Sequence, residues 1–237
     1  MYPLSVVVPV LNEEHYLERL LRNLSAQKGV LLDIIVADAG SKDKSREIAQ
    51  KYGARVVEGG KPPVGRNNGV PFAKYREILF LDADVDFHEN FVCRCLDDMK
   101  KKRLVVATVL TNPESDRMID RVLFDLWNFW VWTTQKIYPH ACGCCIFSHA
   151  DIHKKIGGFD PNLTLGEDSN YALKASNVCR FGVLDKEINM SVRRLDTEGR
   201  AGMLKKMILC GLYRIFIGEP RGNMFNYHFN HKRMKVQ

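Results

Sequence analysis

Continuous apolar runs alternate with segments of helical periodicity through the first third of the chain. The runs at residues 5–10, 33–37, 54–57 and 78–81 are rich in Val, Ile and Leu, which is typical of strands buried on both faces. After the first run, apolar residues from Tyr16 to Leu24 recur at the spacing of one helix face. Such strands separated by helices predict a parallel sheet covered on both faces, and therefore an α/β fold.

Local polar residues predict where these helices begin. Asn12 is expected to cap the first helix, and Ser41 a second helix at residues 42–52. The Gly- and Pro-rich stretch at residues 59–63 predicts an exposed, irregular loop, with a helix following at residues 67–75.

The second half of the chain is less regular. The pattern predicts strands at residues 104–110, 141–147, 181–184 and 188–193 and helices at residues 118–137, 167–175 and 203–217. Most aromatic residues of the 118–137 helix are expected in the core, whereas Trp132 lies on the polar stripe and suits either a sugar or a membrane interface. The sequence has no repeat and no long linker, which favours one body at residues 1–199 followed by an extension at residues 200–237.

Polar side chains gather where the apolar runs end. Asn12 to Glu14 follow the first run, Asp38 the second, and Asp82 to Asp86 the fourth. Because ligands of open α/β sheets bind beyond the carboxyl ends of the strands, these positions predict the site.

Three carboxylates at alternating positions, Asp82, Asp84 and Asp86, are the strongest chemical signal. Strand geometry would point Asp82 and Asp84 the same way, and like charges so close require a cation or a raised pKa. Oxygen ligands select Mg²⁺ or Mn²⁺. One alternative is an acidic loop in which Asp86 caps the next helix. Another is the nucleophile motif of haloacid-dehalogenase-like phosphatases, but that motif opens its domain, whereas three strand–helix units precede it here.

An ordered set of motifs resembles the family 2 glycosyltransferases of the GT-A fold over roughly residues 4–195. The motifs are Val8-Pro9-Val10-Leu11-Asn12-Glu13-Glu14, Asp38-Ala39-Gly40-Ser41, Gly65-Arg66-Asn67-Asn68-Gly69, Asp82-Ala83-Asp84, Gly157-Gly158-Phe159-Asp160 and Gly166-Glu167-Asp168. The resemblance implies a Rossmann-like, mostly parallel central sheet with helices on both faces and a C-terminal helical appendage. It also implies a nucleotide-sugar half at about residues 1–110 and an acceptor half at about residues 111–199.

The resemblance implies transfer of a sugar from a UDP- or GDP-linked donor to an acceptor, with inversion at the anomeric carbon. The implied donor-binding residues are Pro9, Val10, Glu13, Asp38, Arg66, Asp82 and Arg194. Arg193 is an alternative to Arg194 as a clamp on the diphosphate, and a solvated strand end is the alternative to both. Asp84, with Asp82 and Asp86, would hold Mn²⁺ or Mg²⁺ at that diphosphate.

On the acceptor side, the resemblance implies that Asp168, beside Glu167, is the general base for an acceptor hydroxyl. The alternative is that both acids only favour a helix N-terminus. Polyprenol-phosphate sugar synthases generally lack this pair, so its presence favours a hydroxyl acceptor. Two departures stand out: Ala39 replaces the second acid of the usual Asp-Asp-Gly-Ser, and the Gln-x-x-Arg-Trp signature of processive synthases is absent, which favours transfer of a single sugar.

Composition adds a strongly uneven charge. The 237 residues are 46% hydrophobic and 27% charged, which excludes disorder as the main state, and they carry a net charge of +7. Residues 200–237 contain eight Lys or Arg and one acid, Glu219, so they hold the entire excess. This predicts an anionic partner for the extension, a membrane surface or acceptor rather than nucleic acid, because no nucleic-acid module accompanies it. The apolar stretch at residues 207–213 suits an interfacial helix or a helix docked on the body.

Seven cysteines and the N-terminal sequence bear on the compartment. The odd count and the crowding of Cys142, Cys144 and Cys145 argue against a secreted disulfide framework, and the spacings with Cys93 and Cys95 are not those of usual zinc sites. The chain begins without a signal-peptide pattern. We therefore expect a cytoplasmic location, peripheral at the membrane. The alternative functions are a polyprenol-phosphate sugar synthase, a nucleotidyltransferase of similar fold and a non-catalytic lipid- or nucleotide-binding module.

Overall fold

A mixed sheet forms the centre of the computed structural model, which describes residues 1–222 and residue 224. The strands are β1 (Tyr2–Val10), β2 (Val30–Asp38), β3 (Arg55–Glu58), β4 (Glu77–Leu81), β5 (Val85–Asp86), β6 (Val106–Glu114), β7 (Cys145–His149) and β8 (Phe181–Ser191). Across these described residues their order is β3-β2-β1-β4-β7-β6-β8-β5. The first four strands in this order are parallel, as predicted. Beyond them β7 runs antiparallel to β4 and β6, β6 and β8 are parallel, and β5 is antiparallel to β8.

Helices cover both faces of the sheet. They are α1 (Glu14–Ser25), α2 (Ser45–Lys51), α3 (Pro62–Gly69), α4 (Phe91–Lys102), α5 (Met118–Thr134), α6 (Ala150–Lys155), α7 (Glu167–Ser176), α8 (Arg193–Glu198) and α9 (Arg200–Phe216). Alternate residues of β1 separate two cores: Val6 packs in a cluster that includes Leu17 of α1, and Val7 in a cluster that includes Tyr171 of α7. The predicted arrangement of helices on both faces is therefore confirmed.

The predicted caps of the first two helices are wrong. α1 begins at Glu14 and α2 at Ser45, and neither has a side-chain cap. Asn12 instead adopts a left-handed backbone conformation, donates its backbone N–H to Ser41 Oγ and accepts the backbone N–H of Lys42. These two polar residues tie the loops after β1 and β2 together at the edge of the sheet.

The loop predicted at residues 59–63 is partly helical. α3 begins at Pro62, with prolines in its first two positions, and ends at Gly69, before a short 3₁₀ turn at Val70–Phe72. Proline suits a first helical turn because its φ is already helical and its missing N–H has no partner there. The helix predicted at residues 67–75 is thus placed too late.

Two strand predictions also change. The strands predicted at residues 181–184 and 188–193 are one strand, β8, because an irregularity in its pairing with β6 accommodates the residues between them. β7 begins at Cys145, so Cys142 to Cys144 precede the strand as a loop.

α5 faces the body with Phe124, Asn128 and Val131, contrary to the prediction that most of its aromatic residues pack in the core. Asn128 pairs with both the backbone N–H and the C=O of Thr111, and Gln135 accepts the N–H of Val183. These side chains satisfy backbone groups of β6 and β8, which fixes the orientation of the helix. Phe124 is buried, whereas a series of apolar side chains on α5 is exposed: Met118, Ile119, Val122, Leu126, Phe129, Trp130 and Trp132.

α9 is docked on the body through a mixed inner face. Arg200 pairs with the buried Asp120 of α5 at 2.8 Å, and Met203, Cys210 and Arg214 are buried. Within the described range, no helix is both long enough and apolar enough to cross a membrane. Of the basic extension predicted at residues 200–237, residue 223 and residues 225–237 lie outside the described residues.

Candidate active site

An open pocket of about 470 Å³ lies at the carboxyl ends of β2 and β3. This volume is within the range of small-molecule sites, about 300–1,000 Å³. Asp38 at its edge is buried and accepts the backbone N–H groups of Gly40 and Ser41, while Arg46 approaches the same carboxylate at 3.4 Å. The lining residues are Asp38, Ala39, Gly40, Arg46, Val56, Val57, Glu58, Gly59 and Gly60.

Pro9 and Val10, both predicted to line the nucleotide pocket, lie at the carboxyl end of β1. Pro9 lies against Gly65 of α3, where an added Cβ would come within 3.1 Å of the proline Cβ. The Val10 side chain belongs to the core, and its C=O accepts the N–H of Ala39. Both residues therefore brace the loop that forms the pocket, and neither is among the side chains that line it.

Arg193 joins the loops after β1 and β4. Its guanidinium forms two hydrogen bonds to Glu13, of 2.6 and 2.7 Å, and its Nε lies 3.0 Å from Asp84 Oδ2. The same guanidinium lies over the Tyr16 ring, 4.6 Å from its centroid. Burial raises the pKa of Glu13, Arg193 acts against that rise, and the charges of Asp84 and Asp82 add to it.

Of the three predicted metal ligands, Asp82 and Asp84 lie near each other, whereas Asp86 is held by a different contact. Asp86 accepts the side-chain amide of Asn23 on α1 at 2.5 Å. Among the residues that the structure describes, no three His, Cys, Asp or Glu side chains are grouped closely enough to hold a metal by themselves. Asp82 and Asp84 remain near each other and near Glu13, since both carboxylates influence its pKa.

Arg66 connects the end of β4 to the start of α7. Its fully buried guanidinium donates to Asp82 at 2.7 Å, to the Gly143 C=O at 2.9 Å and to Glu167 at 3.2 Å. Burial raises the pKa of Asp82, and the charges of Arg66 and Arg194 act against that rise. Thus Arg66 and Arg194 both lie within electrostatic reach of Asp82, and their predicted role in donor binding remains a prediction.

The acidic pair lies at the first turn of α7, after Gly166 in a left-handed conformation. Burial raises the pKa of Glu167 to about 7, with Asp168 adding to the rise and Arg66 opposing it. Burial also raises the pKa of Asp168, although the Ser169 and Gly143 N–H groups donate to its carboxylate at 2.7 and 2.8 Å. Two buried carboxyls with raised pKa values can hold and exchange a proton near neutral pH.

Gly143 is a site residue that the sequence did not single out by number. Its C=O accepts from Arg66 and its N–H donates to Asp168, so one peptide segment positions both side chains. An added Cβ at Gly143 would lie 3.1 Å from Asp168 Oδ2 and 3.2 Å from Arg66 Nη2. The small residues of the Cys-Gly-Cys-Cys sequence were the available signal. Cys142 and Cys144 on either side of it are free thiols with their sulfurs 3.2 Å apart.

Arg214 of α9 and His140 lie next to the acidic pair of α7. Arg214 is paired with Glu219 at 2.9 and 3.0 Å, lies over the Tyr138 ring, and would be 3.6 Å from a Cβ added at Gly166. His140 contacts Ser169 Oγ at 3.3 Å and accepts the Trp130 indole N–H, and burial lowers its pKa to about 4. Neither residue was predicted from the sequence, because their contacts join segments far apart in the chain.

Comparison with known proteins gives a family match over most of the sheet. The sequence model of glycosyl transferase family 2 matches residues 5–156. The chain is 33% identical over 96 residues to the 4,4'-diaponeurosporenoate glycosyltransferase of Staphylococcus haemolyticus, covering 37% of this chain and 25% of that protein. The Staphylococcus aureus enzyme of the same name is 35% identical over 92 residues, covering 35% and 24%. The chain thus spans about a quarter of the length of the curated relatives it matches.

Solved structures are similar over nearly the whole chain at low sequence identity. The mannosyltransferase PcManGT from Pyrobaculum calidifontis, in complex with GDP-Man and Mn²⁺, gives a TM-score of 0.73 at 16% identity, covering 92% of this chain and 65% of that one. Staphylococcus aureus TarS 1–349 with UDP-GlcNAc gives 0.66 at 20% identity, covering 91% and 73%. Glucosyl-3-phosphoglycerate synthase from Mycobacterium tuberculosis, with Mn²⁺, UDP-Glc and phosphoglyceric acid, gives 0.63 at 18% identity, covering 92% and 81%. These similarities show a common fold.

Proposed function

The chain belongs to glycosyl transferase family 2 and has the GT-A fold, and on this premise we propose that it transfers one sugar from a nucleotide-diphosphate donor to an acceptor hydroxyl with inversion. The observation that carries the proposal is the Arg66 network. One buried guanidinium links Asp82, on the donor side, to the Glu167 and Asp168 pair on the acceptor side. In this proposal, one guanidinium influences both the carboxylate next to the donor and the acids next to the acceptor.

The donor is proposed to lie along the carboxyl edge of the sheet. The pocket beside Asp38 has the size of a small-molecule site, and it lies one strand away from β1 and two from β4, where Glu13, Asp82 and Asp84 are placed. Arg193 and Arg194 supply positive charge there for a diphosphate. UDP- and GDP-linked sugars are both supported as donors, because the structural relatives were solved with UDP-GlcNAc, UDP-Glc and GDP-Man.

Asp168 is the proposed general base. In the transfer, its carboxylate takes the proton of the acceptor hydroxyl, the oxygen forms a bond to the anomeric carbon, and the bond from that carbon to the diphosphate oxygen breaks. The N–H groups of Gly143 and Ser169 orient the carboxylate. Glu167 lies beside Asp168, is influenced by its charge, and accepts a hydrogen bond from Arg66.

The carboxylates of Asp82 and Asp84 suit a divalent cation, Mn²⁺ or Mg²⁺. They provide two oxygen-bearing side chains close to a third acid, Glu13, and the one cation now seated among Glu13 and Asp84 is the Arg193 guanidinium. A site with one or two carboxylates and the remaining positions given to phosphate oxygens is usual for Mg²⁺. When bound, the metal would neutralise charge on the departing nucleotide diphosphate.

The acceptor is proposed to carry a hydroxyl, because a buried acidic pair with raised pKa values is suited to removing a proton. A polyprenol-phosphate acceptor is already an anion and would not need that pair. A nucleotidyltransferase and a non-catalytic binding module are the remaining alternatives, and both predict that the intact chain transfers no sugar to an acceptor.

The test uses Asp168→Asn and Asp84→Asn, with Asp151→Asn as a matched control at an exposed surface pair. Release of nucleotide diphosphate is measured from UDP-Glc, UDP-GlcNAc and GDP-Man with Mn²⁺ and a panel of lipid and sugar hydroxyl acceptors. We expect both site variants to lose at least about 100-fold in kcat, since general acid–base catalysis alone contributes about 10²–10⁴-fold. Donor binding, followed by the thermal shift, should weaken in Asp84→Asn and persist in Asp168→Asn. Normal turnover by both variants would contradict the proposal.

A further inference from the structure

Two helices next to the acceptor side carry their apolar residues outward. Exposed large apolar side chains number seven on α5 and six on α9; those of α9 are Leu204, Met207, Ile208, Leu209, Leu212 and Phe216. A soluble surface helix normally has the opposite orientation, with its apolar stripe facing the core.

The orientation of both helices is fixed by polar contacts beneath them. Asn128 and Gln135 tie α5 to β6 and β8. On α9, Arg200 is paired with Asp120 of α5, and Arg214 lies over the ring of Tyr138. Rotating either helix to bury its apolar residues would break these bonds and leave charged or polar groups unpaired in the interior.

Contacts near both ends bring α5 and α9 close to each other. The Arg200–Asp120 pair joins their first turns, and Arg214 near the end of α9 lies 5.4 Å from the centroid of Tyr138, just beyond α5. Each helix has 17 residues and is therefore about 25 Å long. Among the described side chains, the two helices together expose thirteen large apolar residues, which we call the α5–α9 surface; a monomer usually exposes such residues singly.

We propose that this α5–α9 surface docks on an anionic lipid bilayer, lying in the interface without crossing it. Residues 200–237 carry eight Lys or Arg and one acid, and Lys205 is exposed among the apolar residues of α9. Lys136, at the end of α5, is exposed as well. Helices of this kind bury their apolar side at the headgroup boundary and gain affinity from anionic lipids. Trp130 and Trp132 are both partly exposed, and tryptophan is favoured at that boundary.

The surface adjoins the proposed acceptor site. Arg214 lies against Gly166, the residue before the Glu167 and Asp168 pair, and Trp130 donates to His140, which contacts Ser169. A bilayer at α5 and α9 would thus bring lipid hydroxyls to the side of the cleft where the proposed base lies. This inference extends the proposed function by a partner, but its test reads binding and needs no turnover, so either can fail without the other.

The experiment is flotation of the full chain with vesicles of phosphatidylcholine, alone or mixed with phosphatidylglycerol. We expect binding to the mixed vesicles that weakens with added salt, and weak binding to phosphatidylcholine alone. The double variants Leu126→Ser/Phe129→Ser and Ile208→Ser/Leu212→Ser should each lower the bound-to-free ratio at least about tenfold. Leu31→Ser/Phe72→Ser is the matched control, because both residues are 50% exposed and lie outside α5 and α9.

Several outcomes would overturn the inference. One is an intact chain that does not float with either vesicle, and another is a patch variant that floats as well as the control. Equal binding to both vesicles would contradict an anionic partner. Sedimentation equilibrium without lipid adds a further readout: a dimer that dissociates in both patch variants would show that a second copy covers the surface.

Discussion

Arg66 is the residue whose buried charge holds the side chains of the cleft together. Removing the guanidinium leaves Asp82, Glu167 and the Gly143 C=O without their common donor in a buried setting. We expect Arg66→Met to lower the free energy of unfolding by about 3–5 kcal/mol, as for other broken buried pairs. Urea unfolding measures this. Arg76→Ala, which removes an exposed pair with Asp151, is the control and should cost at most about 1 kcal/mol. Similar losses in both variants would show that the network is not a stabilising centre.

The raised pKa of Glu167 predicts that the free energy of unfolding depends on pH. Its pKa in the folded protein is about 7, above the ordinary glutamate value of 4.5, so the folded state favours the protonated acid. The stability it contributes is therefore complete below about pH 4.5 and is lost as pH rises through about 7. The loss is up to about 3 kcal/mol. Denaturant unfolding from pH 4.5 to 8 should show this fall in the native chain and most of it should vanish in Glu167→Gln. An unchanged profile in the variant would assign the pH dependence to another group.

The same pair predicts how turnover depends on pH. Because the pKa of Asp168 is raised by burial, kcat should fall on the acid side at a pH above the ordinary aspartate range. Glu167→Gln keeps this side chain neutral, as protonated Glu167 is below about pH 7, so the acid limb should stay where it is in the native chain. The limb is measured from kcat against pH at saturating donor. A limb that moves in this variant would show that Glu167, and not Asp168, is the titrating group, while Glu58→Gln, in the pocket at β2 and β3, serves as a control expected to leave the limb unmoved.

At the scale of elements, α3 shows why the Gly65-Arg66-Asn67-Asn68-Gly69 motif has glycines four residues apart. Both glycines face β1: an added Cβ at Gly65 would be 3.1 Å from Pro9 Cβ, and one at Gly69 only 2.4 Å from Val7 Cγ1. The close approach lets Arg66 reach the cleft. Gly69→Ala should therefore lower the free energy of unfolding by about 1–3 kcal/mol through overpacking.

Gly202 of α9 provides the contrast. A Cβ added there would meet open space, so Gly202→Ala should raise the free energy of unfolding by about 0.5–1 kcal/mol. Thermal unfolding of the two variants measures the contrast, and equal shifts would contradict it.

Elements with a simple pattern were predictable, and those set by long-range contacts were not. Buried parallel strands such as β1 carry apolar residues at nearly every position, and α1 buries Leu17, Leu20, Leu21 and Leu24 on one face, so local pattern suffices. The orientation of α5 depends on Asn128 reaching the backbone of Thr111, a contact that no local pattern shows. The start of α3 at Pro62 was missed because proline both breaks and begins helices.

The candidate site follows the same division. The acids that end strands or begin a helix, Asp38, Asp82 and Asp168, stand in the sequence at recognisable positions. Their assignment to donor, metal and base remains a prediction. By contrast, Arg193 pairs with Glu13 across 180 positions of the chain, and Gly143 acts through its backbone. The sequence does not encode either contact locally, so only the folded chain reveals them.

At the scale of the whole molecule, α9 is the part of the basic extension that packs on the body, next to Gly166. The sequence predicts a body at residues 1–199 that stands without residues 200–237. The structure adds that Asp120, with no exposed side-chain surface, relies on Arg200, and that α9 contributes the buried Met203, Cys210 and Arg214. A chain ending at Gly199 would thus leave a buried carboxylate without its cation and uncover the surface beside Gly166.

Two truncations test this dependence. A chain ending at Gly199 should lose more than about 3 kcal/mol of unfolding free energy, because the buried Asp120 keeps the hydrogen bond from the Ser115 hydroxyl but loses its Arg200 cation. A chain ending at residue 224 retains α9 and Glu219 and should keep nearly all of that stability. Urea unfolding and nucleotide-dependent thermal shifts of both chains measure the difference. If the shorter chain is as stable as the longer one and binds nucleotide equally well, the extension is a separable unit. Loss of stability in the shorter chain alone would instead make α9 part of the catalytic body, with its cations serving the fold on one side and the bilayer on the other.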